Sequence, residues 1–295
     1  MYNSFLPKKL NIKKVALCIG IVLIIVLAIL VGRKLGIANF SYQFTQAIQK
    51  QANQLEEEKQ IAKEEEQKRI EEEKRKQMLT QEQIANVEEI YHSEQKRVFL
   101  TFDDGPSQSV TPFILDLLKK ENIKATFFVL GSRVEKAPEL VKREYEEGHY
   151  IANHGYSHVY SAIYASPQAV LDEYTKTNEM IKNAIGNSEY NSKVFRFPGG
   201  SSGGYYDTIK VQAKELLKQN GIAHLDWNAL SQDAAGAKTK EELIQNTIQT
   251  IGSKNSVVIL MHDAADKILT YEVLPTIIQY LRENGYTFMN LYDIL

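Results

Sequence analysis

The sequence predicts an α/β protein: a distorted (β/α) barrel, TIM-like with about seven strands, preceded by a transmembrane helix and a helical stalk. Three observations predict this organisation. Residues 15–32 carry no charge, residues 33–94 are polar and poor in glycine and proline, and from residue 95 onward short apolar segments alternate with amphipathic ones. Such alternation is typical of a parallel sheet covered by helices.

The N-terminal part has the pattern of a membrane anchor. Residues 15–32 read VALCIGIVLIIVLAILVG, close to the lower length limit for a helix that spans a bilayer. More positive charges precede this run than follow it, which favours a cytoplasmic basic tail at residues 1–14. We therefore expect a single-pass signal anchor in the cell membrane, with the remaining chain outside. A cleaved signal peptide and a secreted form are the alternative, although no A-x-A site follows the run.

Residues 33–94 are predicted to form a polar helical stalk or linker. From Phe40 to Ile90 there is no glycine or proline, and glutamine, glutamate, lysine and alanine are adequate helix formers. Apolar residues are sparse and follow no strict heptad, so the sequence favours a solvated single helix over a coiled coil. About 45 helical residues would extend on the order of 70 Å.

The segment 95–295 is predicted to be a single catalytic domain. Its apolar segments predict strands at Val98–Phe102, Ala125–Leu130, Tyr150–Asn153, Val194–Phe197, Ala223–Trp227, Ser256–Met261 and Thr287–Asn290. Its amphipathic segments predict helices at Thr111–Lys120, Pro138–Glu147, Pro167–Ala184, Thr208–Asn220, Lys240–Ile251 and Val273–Asn284. About seven such units indicate a closed or nearly closed barrel, and an open doubly wound sheet is the alternative.

Side chains that can bind a metal or transfer a proton follow the predicted strands at their C-terminal ends. They are Asp103 and Asp104, His154 and His158, Arg196, and His262. Asp-Asp-Gly-Pro alone also fits a simple turn. However, active sites of β/α barrels lie at the C-terminal ends of the strands, so these residues together predict one site.

Two of these histidines stand four residues apart, a spacing that places His154 and His158 on one face of a helical turn. With one carboxylate from another strand end, they would form a two-His-one-carboxylate set for a divalent metal ion. Zinc is the first choice, and cobalt, nickel or manganese are alternatives. His262 suits general-acid chemistry near neutral pH, and Arg196 suits pairing with an acid.

Composition excludes some classes of partner. The net charge of −2 implies no general attraction to nucleic acid. No Gly-x-Gly-x-x-Gly follows the first predicted strand, so a nucleotide cofactor has no support. The single cysteine, Cys18, excludes a disulfide within the chain.

From about Arg97 to Leu295, the chain resembles the polysaccharide deacetylase family, also called the NodB-homology domain or carbohydrate esterase family four. The motifs that carry the resemblance occur in the family's order: TFDDGP at Thr101–Pro106, the two histidines, Arg-x-Pro at Arg196, and Leu-x-His at Leu260. The resemblance implies a distorted β/α barrel and metal-dependent removal of acetyl groups from N-acetylated or O-acetylated glycans.

The resemblance also implies a role for each matched residue. Asp103 resembles the general base, His262 the general acid and Arg196 the partner of the base. The metal ligands would be Asp104, His154 and His158. Leu260 would form the pocket for the acetyl methyl group, and a backbone N–H near Gly199 would bind the oxyanion.

Three departures from the family pattern bear on substrate choice. Gly155 replaces a serine or threonine after the first histidine, and Gly199 replaces an aromatic residue after the motif proline. The fourth motif, aligned from Trp227, is irregular, with Leu230 and Ala234 at the usual Asp and Trp positions. Asp233 matches this motif, and we expect it to orient Arg196. Trp227 and Asp233 are predicted to contact substrate.

The sequence thus predicts a deacetylase acting on N-acetylglucosamine in peptidoglycan, a chitooligosaccharide-like chain or a related envelope glycan. One alternative is an esterase that removes O-acetyl groups from a polysaccharide with the same site. Another is a non-catalytic membrane-anchored module that binds glycan. The intact acid, base and ligand set argues against the non-catalytic alternative.

Overall fold

The computed structural model describes residues 26–32, 34 and 38–295, except for the side chains of residues 38–41 and 74–77. Most of the predicted anchor, as well as the predicted basic tail, lies outside these residues. Of the helices in the described ranges, none is both long and apolar enough to cross a bilayer. The membrane anchor therefore stays a prediction.

The chain divides into two compact units, Met1–Glu72 and Glu73–Leu295. The predicted stalk contains helix α1 (Ala38–Gln77), whose apolar side chains Leu55 and Ile61 are exposed. Exposed ion pairs such as Arg69–Glu66, at 2.8 Å, lie along the helix and each contributes a few tenths of a kcal/mol. The described part of the predicted stalk thus contains one long helix, and its role as a stalk stays a prediction.

A second helix, α2 (Gln81–Glu88), differs from the prediction because it packs within the second unit. A capping box begins it: Thr80 Oγ1 accepts a hydrogen bond from the backbone N–H of Gln83, and the side-chain oxygen of Gln83 accepts one from the backbone N–H of Thr80. Ile84 and Val87 are buried, because apolar residues three apart lie on one face of the helix. The boundary predicted at residue 95 therefore lies inside this unit.

The second unit is built around one sheet in which every strand pair is parallel. Its strands are β1 (Arg97–Asp103), β2 (Thr126–Val129), β3 (Tyr150–Asn153), β4 (Val194–Phe195), β5 (Ala223–His224), β6 (Ala229–Leu230), β7 (Ser256–His262) and β8 (Thr287–Met289). The order is β5-β4-β3-β2-β1-β7-β6, with β8 on β1. The seven predicted strands are all present, and β6 is an addition.

The predicted barrel is an open half-barrel. In the described part of the chain no strand ladder joins β5 to β6. These strands and β4 have only two residues each. Side chains of α2 join β-strand residues such as Phe99 and Val258 in the inner core.

Helices cover the outside of the sheet. They are α3 (Thr111–Lys120), α4 (Gly131–Val134), α5 (Pro138–Glu146), α6 (Tyr160–Ile163), α7 (Pro167–Ile185), α8 (Asp207–Gln219), α9 (Lys240–Ile251) and α10 (Ile268–Glu283), and a 3₁₀ turn follows at Leu291–Asp293. The six predicted helices are present, but α10 begins five residues earlier than predicted. The single-turn helices α4 and α6 are too short for a visible amphipathic period.

Candidate metal and acid–base site

A pocket of about 330 Å³ opens where β1, β3, β6 and β7 end. Its lining contains nine of the ten predicted site residues: Asp103, Asp104, His154, His158, Gly199, Trp227, Asp233, Leu260 and His262. The tenth, Arg196, is completely buried and contacts the pocket through Asp103. The prediction that these strand ends build one site agrees with this geometry.

Arg196 holds the buried carboxylate of Asp103. One guanidinium nitrogen, Nη1, donates to Asp103 Oδ1 at 2.8 Å and to Thr101 Oγ1 at 2.7 Å. Nε and Nη2 donate to the backbone carbonyls of Leu225 and Asp226, each at 2.9 Å. A permanently charged group with this many partners fixes the position of Asp103 at the end of β1.

Aromatic packing adds to this restraint. The guanidinium carbon of Arg196 lies 3.9 Å from the ring centroid of Phe128 and 5.8 Å from that of Trp227. Flat contact between a guanidinium and an aromatic face is favourable, more so in a desolvated site. Trp227 thus belongs both to the pocket wall and to the support of Arg196.

Asp104, His154 and His158 each offer one ligand atom, and these atoms lie within 4.8 Å of one another. Asp104 Oδ1 is 3.6 Å from His154 Nε2 and 3.4 Å from His158 Nε2. That oxygen is buried and has no hydrogen-bond partner among the described residues. An orphaned carboxylate oxygen facing two imidazole nitrogens fits a divalent metal ion.

The tautomer of His154 also suits a ligand. Its Nδ1 lies 2.7 Å from the carbonyl oxygen of Arg196, so Nδ1–H donates and Nε2 is left for a metal. Burial lowers the pKa of His154, and the nearby Asp103 and Asp104 only partly oppose this. The neutral imidazole that a metal requires is therefore favoured.

Two residues of the metal set have uncommon backbone conformations. Asp104 has a φ of 71° and His158 a φ of 56°, both in the left-handed region. Such conformations are unfavourable for residues other than glycine, and those that occur cluster at functional sites. At the adjacent Gly105, an added Cβ would lie 2.1 Å from Oδ2 of the buried Asp263. A side chain at residue 105 would therefore collide with the Asp263 carboxylate, and that group would have to move.

His262 is bound by Asp233. Its Nδ1 lies 2.8 Å from Asp233 Oδ1, and its backbone N–H donates to Oδ2 at 2.7 Å. Burial alone lowers the pKa of His262, but the hydrogen bond and charge of Asp233, with Asp103 and Asp104, raise it to about 9. Burial raises the pKa of Asp233, but its bonds to His262 and Thr270 outweigh burial and lower it.

The expectation that Asp233 orients Arg196 is wrong. Asp233 pairs with His262, and its Oδ2 also accepts from Thr270 Oγ1 at 2.8 Å. Arg196 is oriented instead by Thr101 and by two carbonyls that follow β5. The cause is that residue 233 follows the unpredicted strand β6, which pairs with β7 and so lies beside His262.

The loop after Pro198 has no side chain at two positions that approach aromatic rings. Gly199 has a φ of 73°, and an added Cβ would lie 2.5 Å from the hydroxyl oxygen of Tyr160. At Gly200 an added Cβ would lie 3.4 Å from the Trp227 ring. Ser201 fastens the loop by donating its hydroxyl to Asp226 Oδ2 at 2.7 Å.

Sequence reasoning assigned no role to several residues that support the site. They are Thr101, Asp226 and Thr270, which hold Arg196, Ser201 and Asp233. Thr101 lies in the TFDDGP stretch and could have been found there. The other two give no pattern in the sequence, because their contacts come from distant segments.

Comparisons with known proteins agree with this site. A family model described as polysaccharide deacetylase matches residues 91–222. A peptidoglycan-N-acetylglucosamine deacetylase of Listeria monocytogenes is 36% identical over 203 residues, 68% of this chain and 39% of the relative. A peptidoglycan-N-acetylglucosamine deacetylase of Bacillus cereus is 36% identical over 66% of this chain and 69% of its own length.

A solved structure gives the same result for the fold. The structure of a Streptococcus mutans CE4 esterase is 33% identical, with a TM-score of 0.64, and the match covers 72% of this chain and 92% of that one. The chain spans well under half of the Listeria relative, and a larger share of the Bacillus and Streptococcus proteins. On these matches and on the site described above, the chain belongs to the polysaccharide deacetylase family.

Proposed function

We propose that this protein is a metal-dependent deacetylase that releases acetate from N-acetylglucosamine residues of peptidoglycan or a related cell-envelope glycan. One observation carries the proposal. A single pocket contains the Asp104–His154–His158 cluster, the arginine-held Asp103, and the carboxylate-held His262. Relatives named as peptidoglycan-N-acetylglucosamine deacetylases support this choice of substrate.

The metal is proposed to be zinc, held by Asp104, His154 and His158. Nitrogen ligands with one carboxylate suit zinc and leave coordination positions open, although cobalt, nickel and manganese accept a similar set. A divalent ion bound here would supply Lewis-acid polarisation of the acetyl carbonyl and a lowered pKa for water. The assignment of these ligands is supported by the Asp104 oxygen that has no hydrogen-bond partner among the described residues and by the His154 tautomer.

The residues on either side of the ligand cluster would move the protons. Asp103, fixed by Arg196, would take a proton from the attacking water as the carbon–oxygen bond forms. His262, kept protonated by Asp233, would give a proton to the nitrogen as the carbon–nitrogen bond breaks. The net reaction converts the amide and water into acetate and a protonated amine, and the site is reset when Asp103 loses its proton to solvent and His262 takes one up.

Three further residues would bind the acetylated sugar. Leu260 lines the pocket and would contact the acetyl methyl group. The backbone N–H near Gly199 would donate to the developing oxyanion, a type of contact that is worth several kcal/mol in the transition state. The Trp227 ring would form a wall of the sugar-binding cleft.

An O-acetyl esterase is the second candidate. The observation that favours it is the similarity to a solved structure described as a CE4 esterase. Only the leaving atom differs between the two reactions, so the same acid, base and ligands would serve. An assay that compares N-acetylated with O-acetylated substrates separates them.

We also propose that residues 15–32 anchor the protein in the cell membrane and that the catalytic unit faces the cell wall. The uncharged run and the basic residues around it support this proposal. Membrane fractionation of the expressing cell, followed by protease treatment of intact protoplasts, is the test. Recovery of uncleaved chain only from the cytosolic fraction would contradict it.

The proposed activity is tested by measuring acetate release from peptidoglycan, N-acetylglucosamine oligomers and acetylated xylan. The protein is first loaded with zinc, and the metal content is measured. We expect release from the N-acetylated glycans to exceed release from acetylated xylan. If zinc-loaded protein releases no acetate from any glycan, the proposed enzymatic activity is wrong and the non-catalytic glycan-binding module remains.

A further inference from the structure

Glu173, a residue of helix α7, holds the loop that separates the two proposed metal-ligating histidines. Its Oε2 accepts hydrogen bonds from the backbone N–H groups of Tyr156, at 2.9 Å, and of Ser157, at 3.1 Å. Its Oε1 accepts one from the Ser157 hydroxyl at 2.5 Å. One carboxylate thus binds two consecutive backbone groups and one side chain of the loop between His154 and His158.

The loop needs such a partner because it has no regular secondary structure. It lies between β3 and α6, and within it Gly155 and His158 have left-handed φ values of 81° and 56°. Backbone N–H groups in such a loop find no acceptor in a helix or in a strand ladder, and an N–H group removed from water without an acceptor is costly. Glu173 supplies the acceptors that the loop itself lacks.

Other backbone groups of the loop are bonded to different elements. The Gly155 N–H donates to Asn153 Oδ1 at 2.9 Å, at the end of β3. The carbonyl oxygens of Gly155 and Tyr156 accept from the N–H groups of Gly131 and Ser132, at 3.0 and 3.1 Å, at the start of α4. These partners are neutral, whereas hydrogen bonds to a carboxylate are charge-assisted and stronger. The carboxylate on α7 is therefore the strongest of the restraints on the loop.

Gly155 leaves the space that Glu173 uses. An added Cβ at residue 155 would lie 3.0 Å from Glu173 Oε2 and 2.8 Å from Ile163 Cδ1. A serine or threonine at this position would therefore press on the carboxylate and on Ile163. The departure from the family pattern at Gly155 and the approach of Glu173 to the loop thus belong to one arrangement.

The position of this loop determines where the two imidazoles lie. The Nε2 atoms of His158 and His154 lie 3.4 Å and 3.6 Å from Asp104 Oδ1. The left-handed backbone of His158 is one that persists only where surrounding contacts impose it. Because Ser157 directly precedes His158, loss of the bonds to Glu173 would allow this ligand to move away from the other two.

We propose that Glu173 is a positioning residue for the metal site. It does not bind the ion, and it fixes the loop so that both imidazoles reach the ion together with Asp104. Replacement of residues that orient metal ligands typically lowers metal affinity by about 10–100-fold. This proposal rests on the metal site of the proposed function, but it does not depend on acetate release.

The test is the zinc dissociation constant of the full-length protein, measured by competition with a chromophoric chelator. Glu173→Ala should weaken zinc binding by about 10–100-fold, because the loop loses three hydrogen bonds. Glu173→Gln should bind zinc more tightly than Glu173→Ala, since its amide oxygen can still accept from both backbone N–H groups. This rescue by the conservative variant is not expected if the residue merely fills space.

The matched control is Glu179→Ala, on the same helix. Glu179 is exposed and pairs with Lys182, away from the loop. Its variant should have the zinc dissociation constant of the wild type. A Glu179→Ala variant that loses as much zinc affinity as Glu173→Ala would overturn the proposal, because the loss would then come from the helix as a whole.

Denaturant unfolding of the metal-free proteins separates positioning from damage to the fold. Glu173→Ala that unfolds cooperatively, yet binds zinc more weakly than the wild type, supports the proposal. If Glu173→Ala does not fold, Ser157→Ala replaces it, because this variant removes only the hydroxyl bond to Glu173 Oε1. Its zinc affinity should then lie below that of the wild type, and equal affinity would overturn the proposal.

The outcome is independent of the proposed activity. Equal zinc affinity of the wild type and folded Glu173→Ala would overturn the role of Glu173, whether or not the wild type releases acetate. Weaker affinity of Glu173→Ala would support this role even if no glycan is deacetylated. Absence of zinc binding by the wild type would overturn both the metal site and the role of Glu173.

Discussion

Asp233 and His262 form a buried pair, with 2.8 Å between Asp233 Oδ1 and His262 Nδ1. The pair fixes the tautomer of the imidazole, so that Nε2 is the nitrogen left for the pocket. It also keeps the ring protonated to higher pH than an isolated histidine, with a pKa of about 9. The acid function proposed for His262 therefore depends on Asp233.

Replacing that carboxylate tests this dependence. Asp233→Asn removes the charge that raises the pKa of His262, so the pKa should fall. The alkaline limb of the pH profile of kcat/KM should move to lower pH by about one unit or more. Asp172→Asn, at an exposed helix position, is the matched control and should leave the profile unchanged. An unmoved alkaline limb in Asp233→Asn would disprove the coupling.

The same pair predicts a pH-dependent stability. The folded pKa of His262, about 9, exceeds the ordinary value of 6.5, so the folded protein binds the proton more tightly than the unfolded chain. This stabilisation is fully present below pH 6.5 and is lost as pH rises through 9. The difference in unfolding free energy between wild type and Asp233→Asn should shrink over that interval. Denaturant unfolding at several pH values measures it, and a difference that grows with pH would contradict the assignment.

Asp103 is expected to be the base rather than a ligand. Asp103→Asn should lower kcat by about 10²–10⁴-fold, because an amide cannot accept the proton from water. Its zinc content, measured by elemental analysis, should remain that of the wild type. Asp116→Asn, at an exposed ion pair with Arg143, is the control and should retain the kcat and the zinc content of the wild type. Full activity of Asp103→Asn would show that another group is the base.

The ligand assignment is tested through stability, without an activity assay. At zinc concentrations of about 100 times the dissociation constant, zinc should stabilise the wild type by about 2.7 kcal/mol. His154→Ala should lose this increment, since one of its three ligands is gone. His92→Ala, which removes an exposed histidine outside the cluster, should keep it. If zinc stabilises His154→Ala as much as the wild type, the ligand set is wrong.

Gly105 is expected to be required for packing. In Gly105→Ala the new Cβ would overlap the buried carboxylate of Asp263, and displacement of that group should cost about 1–3 kcal/mol of unfolding free energy. Gly285→Ala has open space around the added Cβ and only a left-handed φ of 78° to oppose it, so it should cost about 1 kcal/mol. A smaller loss for Gly105→Ala than for Gly285→Ala in denaturant titrations would contradict this account of the packing.

The central part of the site could be predicted because each strand carries its functional residue at its own C-terminal end. A period-two or continuous apolar run locates the strand, and the parallel arrangement then brings Asp104, His154 and His262 to one rim. The spacing of four residues identified two imidazoles that do lie together, but they lie on a loop rather than on the expected helical turn, because Gly155 and His158 have left-handed φ values. These are local signals, readable without knowledge of the tertiary structure.

The partner of Asp233 could not be predicted in this way. It depends on β6, a two-residue strand whose burial pattern is too short to recognise, and on the pairing of β6 with β7. The position of Tyr160 against Gly199 likewise depends on a single-turn helix. Helix α2 was assigned to the stalk because its surroundings are polar, although its Thr-x-x-Gln capping box was a usable signal.

The most direct test of the central claim is metal-restored acetate release. Full-length protein is treated with a chelator, and acetate release from N-acetylglucosamine oligomers is then measured as zinc is added back. We expect no release without metal and recovery as one zinc binds per chain, and we expect that His154→Ala does not recover. Full release by the metal-free protein, or none after one zinc has bound, would contradict the central claim.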